Sequence, residues 1–345
     1  MKNRVRISPA QRESHLRRFV GSIAGLLFFG LIMLTPEKSA AENPAANCPN
    51  LWGKGEESFL RDALEHRVIS IGETHGTNEI PSLVGSLLCH LLAKGKTVLL
   101  GLEMPSQAGK QLAEFMAADD ENSQMLLDNW YWRARSFQQD GRRSRAMLSL
   151  LERIRRWRRA GAAVTVAAID YPYGNSKALA SYDGDRNAYM AHEVTELMKG
   201  TAFDHVVILS GALHARRLPY FGWSGKLLFP ISYQLKTRYG LDVYAVRMRS
   251  FSGRSWSCNG PSPDRVTCGS AALGAEEGSF RTDDMVYRKY PPNPDQAFDA
   301  QIVFPSFSAS PPAYLDFRWN DCDRVPKFWA PCDRSHSETP IADGL

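Results

Sequence analysis

The chain has 345 residues and an ordinary globular composition, which excludes wholesale disorder and a protein with several membrane spans. Its formal net charge of +5 is already reached within residues 1–41, where seven basic residues face two acidic ones. Residues 42–345 are therefore about neutral, which argues against a nucleic-acid partner.

Residues 1–41 have the pattern of a secretory signal peptide. A basic start precedes the apolar run 19–34, and Ser39 and Ala41 supply the small residues of a cleavage site. The run has 16 residues, fewer than the roughly 20 that a spanning helix needs. We therefore expect cleavage after Ala41, with an uncleaved anchor helix as the alternative. The mature protein is expected to be periplasmic or secreted, and to touch the membrane only if the leader remains.

Apolar, strand-like runs alternate with helical patterns along the rest of the chain. Strands are predicted at 67–71, 97–103, 163–170, 205–211, 241–250 and 300–304. Helices are predicted at about 78–95, 106–160 and 185–199. Alternation of this kind is typical of an α/β fold, and strands that are apolar throughout are covered on both sides. We expect a mainly parallel sheet with helices on both faces.

One α/β domain is expected over residues 42–310. Within it, residues 251–296 are rich in Gly, Ser and Pro and are interpreted as a loop insertion that carries a cysteine pair. Residues 311–345 are interpreted as a disulfide-bearing C-terminal tail.

The six cysteines favour disulfides, because an even number in an exported chain is typical of oxidised pairs. Two pairs bracket short loops, and two cysteines are left over. The predicted pairs are Cys258–Cys268, Cys322–Cys332 and Cys48–Cys89. For Cys89, which lies in an apolar helix pattern, a buried free thiol is the alternative.

Titratable residues follow four consecutive predicted strands. In chain order they are Glu73 with His75, then Glu103, Asp170 and His214. Because the carboxyl ends of parallel strands meet at one edge of a sheet, we expect these side chains to lie in one site.

Each of these residues also has a structural interpretation. Glu73 alone is a helix cap, His75 a turn residue, and His214 a surface histidine; Asp170 before Tyr-Pro is a turn former. Glu103 is harder to explain in this way, because an unpaired buried carboxylate is costly and needs a cation, a metal or a proton.

The types of residue at this edge point to hydrolysis. Carboxylates and neutral imidazoles suit a divalent transition ion such as Zn, Mn or Fe, for which Glu73, His75, Glu103 and His214 are the candidate ligands. Such an ion activates water. Without a metal, a histidine oriented by a carboxylate takes the proton of the attacking water.

Several short motifs follow one another along the chain. In chain order they read "IGETHGTNE", "LGLEMP", "AAIDYP", "RNAYMA", "LSGALHARRLP" and "FDAQIVFPSFSASPP". In this order they resemble a superfamily that unites erythromycin esterases, Tiki proteases, TraB-type proteins and ChaN-like haem-binding proteins. They span about residues 70–310, and their order carries more weight than any one of them. The Gly-Glu-x-His spacing is nearer the ChaN-like form, whereas "HGTNE" resembles the esterases.

This resemblance implies an α/β fold whose pocket lies at the carboxyl edge, with the same two acids and two histidines in it. It adds Arg186 as a pocket-side cation, which with Asp170 is the expected cofactor-binding pair. Members hydrolyse a macrolide ester, cleave peptides with a metal, or bind haem. The resemblance therefore implies a hydrolase with a small-molecule or peptide substrate, or a haem-binding uptake protein. A haem site needs an axial ligand, for which Tyr131, Tyr171 and Tyr173 are candidates.

Overall fold

A seven-stranded sheet forms the centre of the structure. The structure is a computed structural model that describes residue 48 and residues 50–119, 123–133, 139–222, 225–259, 267–275 and 280–314. The strands are β1 (Val68–Glu73), β2 (Val98–Pro105), β3 (Val164–Asp170), β4 (His205–Gly211), β5 (Tyr220–Phe221), β6 (Leu227–Leu228), β7 (Val243–Ser250), β8 (Arg254–Asn259), β9 (Thr267–Ala272), β10 (Val286–Lys289) and β11 (Ala300–Phe304). The order in the main sheet is β10-β11-β7-β1-β4-β2-β3. All pairs are parallel except that of the edge strand β10 with β11.

Helices connect the strands. They are α1 (Lys54–Ala63), α2 (Glu79–Ala93), a 3₁₀ turn (Ser106–Ala108), α3 (Gly109–Ala117), α4 (Gln124–Leu127), α5 (Arg145–Arg159), α6 (Ser176–Ala180), α7 (Arg186–Gly200) and α8 (Ile231–Tyr239). None of the helices among the described residues is long and apolar enough to cross a membrane.

Two apolar cores cover the two faces of the sheet. The first packs α1, α2, α3 and α5 against strand residues such as Ile69 and Ile71. The second packs Met190 of α7 and Leu235 of α8 against the opposite face, where Val68 points. The predicted α/β fold, with a mainly parallel sheet and helices on both faces, is therefore confirmed. The predicted strands agree with β1, β2, β3, β4, β7 and β11 to within two residues at each end.

The expectation of one long helical region over residues 106–160 is wrong. The structure divides that stretch into the 3₁₀ turn, α3, α4 and α5, with non-helical backbone before α5. Gly141 has φ +96°, a left-handed conformation that ends helical geometry and that glycine adopts most readily. The break places Arg142, which follows Gly141, at the sheet edge.

Two of the predicted disulfides are present. Cys258 pairs with Cys268 across the β8–β9 hairpin, and Cys48 pairs with Cys89 of α2, so the free-thiol alternative for Cys89 is wrong. The Cys322–Cys332 pair lies outside the described residues, as does the predicted signal peptide of residues 1–41. Residues 251–296, predicted to be a loop insertion, contain the β8–β9 hairpin and also β10, which joins the main sheet.

Candidate functional site

The four adjacent strands β1, β4, β2 and β3 end at the same edge, and each delivers a polar group to it. β1 ends at Glu73, β2 passes through Glu103, and β3 ends at Asp170. His214 lies in the turn that follows β4. The residues that the sequence placed at separate strand ends thus lie in one cluster.

His75 is held by the acid two residues before it. Its Nδ1 lies 2.7 Å from Oε1 of Glu73, and its Nε2 lies 3.7 Å from Oε2 of Glu103. Because Glu73 accepts the Nδ1 proton, the neutral ring carries its lone pair on Nε2. The His75 side chain retains 19% of its exposure, so the imidazole is only partly buried.

Glu103 is the centre of the cluster. Its Oε1 accepts hydrogen bonds from Nη2 of Arg142 and Nη2 of Arg186, both at 2.7 Å, and its Oε2 accepts one from the backbone N–H of Gly211 at 2.7 Å. Burial favours the neutral acid, but the neighbouring cations, Arg142 foremost, outweigh it and hold the pKa of Glu103 well below its usual range. The carboxylate is therefore charged and fully paired.

Arg186 connects Glu103 to Asp170. Its Nε donates to Oδ1 of Asp170 at 2.7 Å and its Nη2 to Oδ2 at 2.5 Å, while the same Nη2 reaches Glu103. Asp170 is completely buried, which does not fit the alternative interpretation of this residue as a simple turn former. Burial opposes the charge of Arg186, but Glu103 and Asp170 raise the pKa of Arg186 above its ordinary value. This arginine, predicted to be a pocket-side cation, neutralises carboxylates from two strands.

His214 approaches Oε1 of Glu103, whereas His75 approaches Oε2. Nδ1 of His214 donates to Oδ1 of Asn187 at 2.6 Å, and its Nε2 lies 3.4 Å from both Oε1 of Glu103 and Nη1 of Arg186. Burial lowers the pKa of His214 to about 4, with Arg186 acting in the same direction against Glu103. His214 is therefore neutral near pH 7 and forms no ion pair with Glu103 there.

His75 differs from His214 in its protonation. Burial and the charge of Arg142 lower the pKa of His75, but Glu73 and Glu103 outweigh them and raise it above its ordinary value of 6.5. The two imidazoles of the site thus have their pKa values pushed in opposite directions.

Two residues of this cluster, Arg142 and Asn187, were not predicted from the sequence. Arg142 lies in a loop inside the stretch that was interpreted as helix, and Asn187 carries no charge to draw attention. A small cavity beside Arg142 is lined by Glu73, Glu103 and Tyr131 together with apolar residues. The sequence held one indirect signal for Arg142, because a buried Glu103 requires a cation that the strand ends do not supply.

The donor set does not fit the predicted divalent metal. Among the described residues there is no group of three or more His, Cys, Asp or Glu side chains arranged to hold an ion. Glu103, the most central of the four candidate ligands, already accepts from two guanidiniums and a backbone N–H. A cation added at this carboxylate would lie beside Arg142 and Arg186, whose charges would repel it.

Two of the three tyrosines considered as axial haem ligands, Tyr131 and Tyr173, do not fit that role either. Burial raises the pKa of Tyr131 to about 12, which disfavours the phenolate that binds iron. The Tyr173 hydroxyl donates to Oδ2 of Asp170 at 3.3 Å, and burial raises the pKa of Tyr173 as well. Tyr171 lies with its ring 5.9 Å from the Arg186 guanidinium.

Solved structures share this architecture. The erythromycin esterase EreC, in the open conformation of a mutant, is similar with a TM-score of 0.56 and 15% identity, over 75% of this chain and 95% of that one. The chain has the erythromycin esterase fold. A succinoglycan biosynthesis protein is similar with a TM-score of 0.51 and 10% identity, over 73% of this chain and 91% of that one.

ChaN of Campylobacter jejuni, in a structure described as showing cofacial heme binding, has a TM-score of 0.40 and 10% identity over 72% of this chain and 91% of that one. The similarity is thus greater to the esterase, whereas the Gly-Glu-x-His spacing predicted the ChaN-like form. No protein-family model and no curated protein matches the sequence.

Proposed function

We propose that this protein is an exported hydrolase of small-molecule esters in which His75 acts as a general base without a metal. The observation that carries the proposal is the pairing of His75 with Glu73, which leaves Nε2 without a hydrogen bond to any described residue, 3.7 Å from Oε2 of Glu103. A water molecule that hydrogen-bonds to both atoms is placed for proton removal.

The proposed reaction needs only groups that are present. The oxygen of the water attacks the acyl carbon while Nε2 of His75 takes one of its protons. The tetrahedral intermediate then expels the alcohol, which receives that proton from His75, and the acid product leaves. Glu73 stabilises the imidazolium, and the guanidiniums of Arg142 and Arg186 bring positive charge close to the developing oxyanion.

An ester is favoured over a peptide as the substrate class for two reasons. An alkoxide is a better leaving group than an amide nitrogen, so a single base without a metal suffices more readily for an ester. The likeness to erythromycin esterase EreC, although it shows the fold alone, agrees with this choice.

Export is part of the proposal. It is supported by the leader of residues 1–41 and by the disulfides Cys48–Cys89 and Cys258–Cys268, since such bonds persist in oxidising compartments. Intact mass of the protein recovered from the periplasm or the medium tests it. A chain beginning at residue 42 is expected, and a chain that retains its leader in the cytoplasm would contradict it.

The experiment that tests the catalytic proposal compares His75→Gln with a histidine control. On a panel of 4-nitrophenyl acyl esters in the presence of a chelator, His75→Gln is expected to lower kcat/KM about 100-fold or more. His192→Gln is the control, because His192 is partly exposed on α7 and its Nδ1 lies 3.8 Å from Oε1 of Glu196, beyond hydrogen-bond distance. Full activity in His75→Gln would overturn the proposal.

Two further outcomes would replace this proposal with the alternatives raised by the sequence. Loss of activity on chelation, with its return on adding Zn, Mn or Fe, would show metal-dependent hydrolysis. A strong Soret band with added haemin, together with no hydrolysis of any ester, would favour a haem-binding protein instead.

A further inference from the structure

A second group of arginines lies beside the catalytic cluster. Arg216 is two residues beyond His214, in the turn that follows β4, and Arg247 lies in β7. In the register of β1 with β7, Arg247 is opposite Gly72, the residue before Glu73. Both arginines are therefore close to the sheet edge that carries His75.

Ala215 and Phe298 meet over Gly72, which relates the positions of these two arginines in the fold. A Cβ at Gly72 would lie 3.2 Å from Cβ of Ala215 and 3.4 Å from the ring of Phe298, so both side chains meet over this glycine. The Arg247 guanidinium lies 5.9 Å from the centre of the Phe298 ring. Arg216 follows Ala215 directly, so its backbone lies close to the same position.

Arg216 has no carboxylate partner among the described residues. Its guanidinium stacks on Tyr220 at 5.4 Å, and its Nε is buried without a hydrogen-bond partner there. Its neighbour Arg217 provides the contrast, because Arg217 Nη1 is paired with Oδ1 of Asp299. The fold thus neutralises one arginine of this turn and leaves the adjacent one with its donors available.

The electrostatics agree with this geometry. Burial lowers the pKa of Arg216, and the charge of Arg247 lowers it further. Burial raises the pKa of Tyr220, whereas Arg216 and then Arg186 lower it. Tyr220 therefore lies within reach of both the second arginine group and the catalytic cluster.

We propose that Arg216 binds an anionic group of the substrate, a carboxylate or a phosphate, next to the catalytic centre. This inference rests on the proposed hydrolase function and names its substrate class: an ester with a negatively charged group on its acyl or alcohol part. Charge-assisted hydrogen bonds from guanidinium to an oxyanion are strong and directional, and Tyr220 adds an apolar wall with a hydroxyl.

The kinetic test uses matched ester pairs. Mono-4-nitrophenyl esters of succinic, glutaric and adipic acids are compared with neutral 4-nitrophenyl esters of the same chain lengths. Arg216→Ala is expected to lower the ratio of kcat/KM for anionic over neutral esters about tenfold or more. Arg216→Lys, which keeps the charge, should recover part of that ratio. Arg238→Ala, which removes an exposed arginine of α8, should leave the ratio as it is. An unchanged ratio in Arg216→Ala would overturn the inference.

A binding measurement separates this inference from the proposed function. Isothermal titration of succinate and of inorganic phosphate into the wild-type protein, His75→Gln and Arg216→Ala shows which oxyanion binds and whether Arg216 is needed. Binding that persists in His75→Gln and is lost in Arg216→Ala supports the subsite, even if the wild-type protein hydrolyses no ester. Wild-type protein that binds neither anion, or Arg216→Ala that binds as tightly as the wild type, would overturn it.

Discussion

Nη2 of Arg186 lies 2.7 Å from Oε1 of Glu103, so that a guanidinium at the start of α7 neutralises the acid carried by β2. The same side chain also holds Asp170 at the end of β3. Two strands and one helix are thus tied together at the sheet edge by charge. The proposed catalytic base, His75, lies next to this buried network, with its Nε2 3.7 Å from Oε2 of Glu103.

Removal of that guanidinium should destabilise the fold. Arg186→Ala leaves Asp170, which is fully buried, without its cation and leaves Glu103 with Arg142 alone. Breaking a buried ion pair in this way costs about 3–5 kcal/mol in the free energy of unfolding. Urea denaturation measures it, with the exposed Arg238→Ala as the control for loss of one positive charge. A loss no larger than that of the control would show that the network contributes little to stability.

The backbone behind His75 should tolerate no side chain at Gly141. A Cβ there would lie 2.2 Å from the backbone nitrogen of Gly76, at a φ of +96°. Gly161 is the matched control, because its φ is +93° and nothing lies within 4 Å of its would-be Cβ. Both alanine substitutions carry a left-handed cost of about 1–2 kcal/mol.

Gly141→Ala should cost about 1–3 kcal/mol more than Gly161→Ala, because the backbones must separate. It should also lower hydrolysis, since the shift moves His75 and Arg142 together. Thermal denaturation and ester kinetics of the two variants check this. Equal effects of the two substitutions would contradict the close approach.

The sequence predicted the strand ends of this site well, because β1, β2 and β4 are apolar along nearly their whole length and their polar ends stand out. Glu73, Glu103 and His214 were found in this way. Arg142 was not predicted, because it lies in a loop in which Gly141 packs closely against Gly76, a residue distant in the chain. Periodicity reports which face of a helix is buried, but it does not report contacts between loops.

Asn187 and Arg216 show a second limit of the sequence. Asn187 accepts the Nδ1 proton of His214. Among the described residues, Arg216 has no carboxylate partner, whereas Arg217 has one. Neither property follows from residue type or spacing, because each depends on where a partner from another element comes to lie. The donor set does not fit the predicted metal for a related reason: Arg186 was predicted as a pocket-side cation, but Arg142, which also pairs with Glu103, was not.

The two site histidines should titrate differently. His214, whose pKa burial lowers to about 4, should stay neutral with its proton on Nδ1 from pH 8 down to pH 5.5. His75 should gain a proton already above pH 6.5, because Glu73 and Glu103 raise its pKa. Ring ¹⁵N chemical shifts followed by NMR distinguish the two, with His75→Gln and His214→Gln for assignment. A midpoint near 6.5 for His214 would contradict its buried environment.

The most direct test of the central claim is the pH dependence of kcat/KM in the wild-type protein and in Glu73→Gln. If neutral His75 is the base, hydrolysis rises with pH through the raised pKa of His75, and the acid limb has its midpoint above 6.5. Glu73→Gln removes the carboxylate that raises this pKa, so the midpoint should move to lower pH and the plateau should fall. Glu65→Gln, an exposed acid beyond α1, should leave the profile unchanged. An acid limb at the same pH in Glu73→Gln and wild type would contradict the account.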